Sequence, residues 1–190
     1  MAQTQTLGTL FLVVGPSGVG KDSVMDGLKL ALSDTLIAPR RFITRPDGAG
    51  GEDHLTLTEG EFARFLACER FFLHWNAHGL RYGIASEIRE LLEQGRSVML
   101  NVSRSVISDA EAKWPRTAVI SIRTSPEVLK ARLSARGRET EDDIEERLER
   151  AGAFKVQARD LLVVENSGSL DACVATVLSF IQPRLGRASE

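Results

Sequence analysis

Two cysteines in 190 residues are too few for a disulfide framework. Cys68 and Cys173 lie far apart and outside any C-x-x-C pattern, which reads as two thiols of a reducing compartment. A run of about 18 or more apolar residues is missing, so no membrane-spanning helix is expected. The opening MAQTQTLGT has neither the positive flank nor the apolar core of a secretory signal. A cytoplasmic setting is therefore expected. Excess charge of one sign is also absent: 24 Lys and Arg stand against 26 Asp and Glu, for a net charge of −2. That balance argues against nucleic acid or an anionic membrane as the main partner, so any basic site has to be local. What is present, 43% hydrophobic and 26% charged residues, is the composition of an ordinary globular chain with one compact domain.

Short apolar runs alternate with helical patterns along most of the chain. Leu10 to Val14 is too short for a helix and is bounded by Gly15-Pro16, which reads as a buried parallel strand. Ser97 to Val102, Thr117 to Ile122 and Leu161 to Val164 repeat the pattern, each followed by a helical segment. Between Lys21 and Leu32 the apolar residues Val24, Leu28, Ala31 and Leu32 fall at helical spacing. Ser125-Pro126 reads as a helix start and Gly137 as its stop. Thr58-x-x-Glu61 and Thr140-x-x-Asp143 read as capping boxes. Strands alternating with helices predict an α/β fold, a parallel sheet flanked by helices on both faces. Residues 35 to 85 break the rhythm and read as an inserted subdomain, with 47 to 51 (DGAGG) as a flexible loop.

The strongest chemical signal is Gly15-Pro16-Ser17-Gly18-Val19-Gly20-Lys21-Asp22-Ser23 between a buried strand and a helix. That context is the one the G-x-x-x-x-G-K-[ST] phosphate loop requires. Its glycines let backbone N–H groups point inward at phosphates, and the helix N-terminus adds positive potential. Lys21 is placed to reach the phosphoryl group in transfer. ATP with Mg²⁺ is the expected ligand. The pattern departs at one point, since Asp22 stands where Ser or Thr should ligate the metal. Asn101, at the end of the strand from Ser97, also replaces the usual acidic residue. Two readings stay open: Asp22 supplies the metal-side charge, or Ser23 or water meets Mg²⁺ and Asp22 is an anion favoured by the helix dipole.

Phosphoryl transfer spreads negative charge over oxygens that arginines can clamp. Arg132 and Arg136 are four apart and share a helix face; Arg147 follows on the next helix. Asp143–Arg147 and Glu146–Arg150 are also four apart, so surface pairing is the competing explanation of this charged stretch. Arg136 and Arg147 are expected to close over the phosphates together with Lys21, and Arg132 to assist.

The loop GPSGVGK, the run RLSARGRETEDDIEERL and Tyr82-Gly83 after an aromatic strand resemble the guanylate kinase-like family over nearly the whole chain. Within it, GKDS, RRFITR, GGEDHLTL, HWNAHGLRYG and LNVSRS are similar to the ribose 1,5-bisphosphate phosphokinase family of phosphonate metabolism. That resemblance implies an ATP-dependent kinase making 5-phosphoribosyl 1-diphosphate from a phosphorylated sugar. It further implies a core over about 1–34, 86–131 and 155–185, an acceptor-binding subdomain over about 35–85 and an arginine-bearing lid over about 132–154. True guanylate kinases carry Glu before the strand Trp and Ser after Tyr-Gly; here these positions hold His74 and Ile84. A guanine reader needs carboxylates opposite the ring N–H groups, so the guanine-reading groups are lost. Thr44-Arg45 matches the family's first acceptor-phosphate arginine, whereas the second has no match, and His54 stands for the family's tyrosine. Arg41, His74, Arg81, Tyr82 and Arg104 are added candidates for an acceptor with two phosphates. Trp75, Phe71 and Phe72 read as core. Asn166 is implied to line the adenine pocket. A nucleoside monophosphate kinase and a non-catalytic binding module are the competing functions; the sequence leaves monomer and homo-oligomer both open.

Overall fold

The computed structural model describes residues 7–45, 53–137 and 140–185. The chain opens on strand β1 (Leu10–Val14), every residue of which is fully buried. Its side chains alternate between two apolar clusters. Leu10, Leu12 and Val14 enter one, while Phe11 and Val13 enter the other. Burial on both faces is why this strand reads as a continuous apolar run rather than an alternating one. It pairs in parallel with β7 (Ser97–Asn101) on one side and β8 (Thr117–Arg123) on the other. The edges are β2 (Leu36–Ile37) and β9 (Leu161–Glu165), giving the order β2-β7-β1-β8-β9. Leu36–Ile37 lies inside the segment expected as an insertion, yet it forms an edge of the parallel sheet.

Helices α1 (Lys21–Ala31) and α7 (Leu170–Ile181) bury Val24, Leu28, Cys173 and Val177 against one face of this sheet. On the other face, α3 (Ile88–Glu93) and α4 (Ile107–Lys113) bury Ile88, Leu92, Ile107 and Ala110. No helix among the described residues is long and apolar enough to cross a membrane.

A second sheet follows the order β4-β3-β6-β5, with β3 (Arg41–Ile43), β4 (His54–Thr56), β5 (Phe71–Ala77) and β6 (Leu80–Ala85). Strands β5 and β6 form a hairpin around His78-Gly79, both at positive φ (52° and 72°). That is the geometry of a two-residue turn whose twist matches the strands. One face of this sheet packs Phe42 and Phe71 on α2 (Glu59–Ala67), which contributes Phe62 and Phe65. The other face carries Ile43, Leu73, Trp75, Tyr82 and Ile84, which join the main core. The DGAGG stretch lies outside the described residues.

Two helices complete the chain. Helix α5 (Pro126–Arg136) starts on the Ser125 cap and ends at Gly137, whose φ is 61°. Helix α6 (Glu141–Gly152) starts on the Thr140–Asp143 capping box. They pack together through Leu129, Leu133 and Ile144.

Candidate active site

The loop between β1 and α1 sits at the carboxyl edge of the parallel sheet, where the crevice of an open α/β sheet collects ligands. Gly18 and Gly20 have φ of 93° and 90°, and a Cβ on Gly20 would stand 2.5 Å from Asn166 Nδ2. Glycine is required there by both backbone and space. Lys21 Nζ donates to the carbonyls of Gly15 at 2.8 Å and Pro16 at 2.9 Å, so the lysine is folded back over the loop. From the far side, Asn166 Nδ2 donates to Val19 O at 2.8 Å. Arg132 donates to the carbonyls of both Val19 (3.2 Å) and Asn166 (2.9 Å). These bonds join the loop to α5 and the end of β9. A cavity of about 380 Å³ opens on that side, lined by Gly18, Gly20, Ser23, Arg132, Asn166 and Leu170 among others. Asn166 is buried, and its Oδ1 has no hydrogen-bond partner among the described residues.

On the opposite side of the loop a larger cleft, of about 690 Å³, separates it from the second sheet. Among the described residues, six cationic side chains line this cleft, Lys21, Arg41, Arg45, Arg104, Arg147 and Arg150, against one carboxylate, Asp22. In a chain of net charge −2, such a concentration attracts a strongly anionic ligand. Arg147 Nη1 donates to Ser17 Oγ at 3.2 Å, which carries α6 across to the phosphate loop. Of the two surface pairs expected on α6, Glu146–Arg150 is formed. The Asp143 carboxyl is held below its ordinary range chiefly by the Thr140 hydroxyl and backbone N–H, with Arg147 a smaller cause.

Asp22 lies on the first turn of α1 beside Ser23, both exposed. Asn101 Nδ2 donates to Asp22 Oδ1 at 3.2 Å. No cluster of three or more His, Cys, Asp or Glu suited to a metal occurs among the described residues. Mg²⁺ does not need one, since it commonly takes one or two carboxylates with phosphates and water. Asp22 and Ser23 fit that pattern.

The pleat of the second sheet decides which acceptor-side candidates reach the cleft. Trp75 and Tyr82 are paired across β5 and β6. Their rings stack with centroids 5.3 Å apart and planes 5° apart. Both line the cleft and both are 7% exposed, so Trp75, expected as core, serves as core and cleft floor at once. Arg41 lies over both rings and donates to the carbonyl of Asn101. Arg45, just beyond β3, and Arg104, after β7, line the same space; Arg104 covers the Phe154 ring at 4.3 Å.

His74 and Arg81 are each one residue away from this pair, so they take the opposite face. His74 is exposed, with the Phe71 ring 6.5 Å away. Arg81 covers Phe62 and pairs with Glu59 of α2. Neither lines the cleft. His54 pairs with Arg41 in β4 and is also not among the lining residues. Arg136 closes α5, but its side chain lies outside the described residues, as does Arg138. His78, Ser103, Arg150 and Phe154 line the cleft without having been put forward as site residues. For His78 the available signal was the His-Gly turn, which fixes the hairpin register and brings its tip to the cleft.

A phosphate loop feeding a helix at the carboxyl edge of a five-stranded parallel sheet defines a P-loop kinase fold. The solved guanylate kinase of Anaplasma phagocytophilum has this fold, with a TM-score of 0.67, 13% identity and coverage of 95% of this chain and 88% of that one. Residues 8–184 match the guanylate kinase family, and the chain belongs to it. A ribose 1,5-bisphosphate phosphokinase PhnN of Ruegeria sp. is 46% identical over 92% of this chain and 92% of its own length. The protein of the same name from Thiobacillus denitrificans is 47% identical over 86% of this chain and 87% of its own. A bifunctional ribose 1,5-bisphosphokinase-thymidine phosphorylase of Cupriavidus necator is 45% identical over 88% of this chain, which spans 28% of that longer protein.

Proposed function

We propose that this protein transfers the γ-phosphoryl group of ATP to the 1-phosphate of ribose 1,5-bisphosphate, yielding 5-phosphoribosyl 1-diphosphate and ADP. The observation that carries the reading is the cleft beside the phosphate loop, in which six cations face one carboxylate. Close kinship with proteins named for this reaction supports it.

The acceptor phosphate is already ionised near neutral pH, so no strong general base is needed. An acceptor phosphate oxygen attacks the γ-phosphorus in line, a P–O bond forms, and the bond to the β-phosphate oxygen breaks as ADP leaves. Catalysis then consists of positioning and charge neutralisation. The loop amides and Lys21 hold the β and γ phosphates. In that state the Lys21 ammonium exchanges the Gly15 and Pro16 carbonyls for phosphate oxygens. Arg147, already at Ser17, neutralises charge from the α6 side, with Arg136 assigned beside it. Bound Mg²⁺ supplies further neutralisation of the phosphate oxygens, with Asp22 and Ser23 as the residues to hold it. The adenine is assigned to the smaller cavity beside Asn166 and Arg132. Arg41, Arg45 and Arg104 hold the acceptor, with Tyr82 beneath.

The same cleft disfavours a guanine acceptor. A buried base needs acceptors for its ring N–H groups. The cleft's one carboxylate among the described residues accepts from Asn101, and His74 faces away. Phosphorus NMR on the reaction of ATP with ribose 1,5-bisphosphate tests the proposal. A new diphosphate pair attached to the sugar, formed in step with ADP, is expected. ADP without a sugar diphosphate, or no turnover, would overturn it.

A further inference from the structure

Arg41 lines the cleft and is seated on the second sheet and on the end of β7. Its guanidinium lies 5.5 Å from the Tyr82 centroid and 5.9 Å from that of Trp75. Those rings are themselves 5.3 Å apart, so cation and rings make a nearly equilateral triangle. The two rings stack on each other, both are 7% exposed, and the cation lies over the pair. Arg41 also donates to the Asn101 carbonyl, while the Asn101 amide nitrogen donates to Asp22. One residue thus stands between Arg41 and the loop carboxylate. Lys21 and Arg147, by contrast, touch the loop directly.

We infer that Arg41 is the specificity-determining residue of the acceptor site, binding the second phosphate of the acceptor, the one that does not receive the phosphoryl group. The inference rests on the function proposed above. The transfer takes place beside Lys21 and Arg147, and the position one side chain removed from the loop falls to the non-reacting end of the acceptor. At that end the cleft offers a fixed, planar cation on a covered aromatic floor. A phosphate suits such a fork, and a neutral ring with N–H donors does not. The acceptor class that follows is a sugar phosphorylated at both ends.

Two half-acceptors separate this from a general loss of charge. Ribose 5-phosphate carries only the non-reacting phosphate, and ribose 1-phosphate only the reacting one. Their inhibition constants against ribose 1,5-bisphosphate turnover are measured in the wild type and in Arg41→Gln. The ratio of the ribose 5-phosphate constant to the ribose 1-phosphate constant should rise at least about tenfold in the variant, as expected for loss of a charge-assisted bond. An unchanged ratio, with both constants rising together, would overturn the assignment and leave Arg41 as part of the general field. Should Arg41→Gln also lose ATP binding, Arg41→Lys, which keeps the charge but not the planar fork, decides by the same ratio: a rise supports the assignment and no change contradicts it. Failure of the wild type to use ribose 1,5-bisphosphate at all would instead sink the functional reading, and this inference with it.

Discussion

Lys21 is the residue on which the proposed transfer leans most. Its ammonium donates to the Gly15 and Pro16 carbonyls. We assign the same group to the β and γ oxygens of bound nucleotide. Lys21→Met should therefore fold normally but lower kcat about 10²–10³-fold, the cost of removing one preorganised donor. Steady-state kinetics with a thermal melt as control checks this; a loss of activity tracking a lowered Tm would contradict it. The loop between β1 and α1 was legible from sequence because its pattern is dense and its strand–helix context is short-range. The acceptor side was less legible. Arg41, Arg45, Tyr82 and Arg104 do reach the cleft, but His74 and Arg81 do not. Adjacent strand residues point to opposite faces, and their side was not fixed until the Trp75–Tyr82 register was known.

At the scale of elements, strands buried on both faces announce themselves as apolar runs, and β1, β7, β8 and β9 fall within a residue of where those runs place them. Helices α2, α5 and α6 start where their caps predict. The strands β2, β3 and β4 are two or three residues long and too short for periodicity to register. The cap of α6 carries a pH prediction. The Asp143 carboxylate accepts from the Thr140 N–H and hydroxyl at 3.0 and 2.7 Å, which lowers its pKa in the folded chain. A lowered folded pKa means that the stabilisation is present above the unfolded value. It is lost as pH falls through the folded value. Asp143→Asn should thus lower the urea midpoint near pH 7, and the gap to wild type should narrow and close as pH falls below the ordinary aspartate range. A gap independent of pH would show that the carboxylate charge plays no part.

For the whole molecule, a net charge of −2 surrounds a cleft of opposite sign. Attraction of an acceptor with two phosphates is then a local field effect, weakened by salt. Raising ionic strength from about 0.05 to 0.5 M should increase the acceptor KM severalfold while moving Tm little. A KM insensitive to salt would mean that the arginines act by shape alone. The two sheets meet along one core, with Ile43, Trp75, Tyr82 and Ile84 packed in the same cluster as Leu10, Leu12 and Leu100. That continuity fixes the aromatic floor of the cleft relative to the phosphate loop.

On the function proposed above, this cleft gathers two anionic substrates, the acceptor being a bisphosphorylated sugar rather than a nucleotide. Coupled detection of ADP release, with ribose 1,5-bisphosphate and GMP offered as separate acceptors to the same preparation, tests it most directly. The account predicts a kcat/KM for ribose 1,5-bisphosphate at least about 100-fold above that for GMP, the discrimination expected when a base would leave buried donors unpaired. Equal or faster turnover of GMP would contradict it.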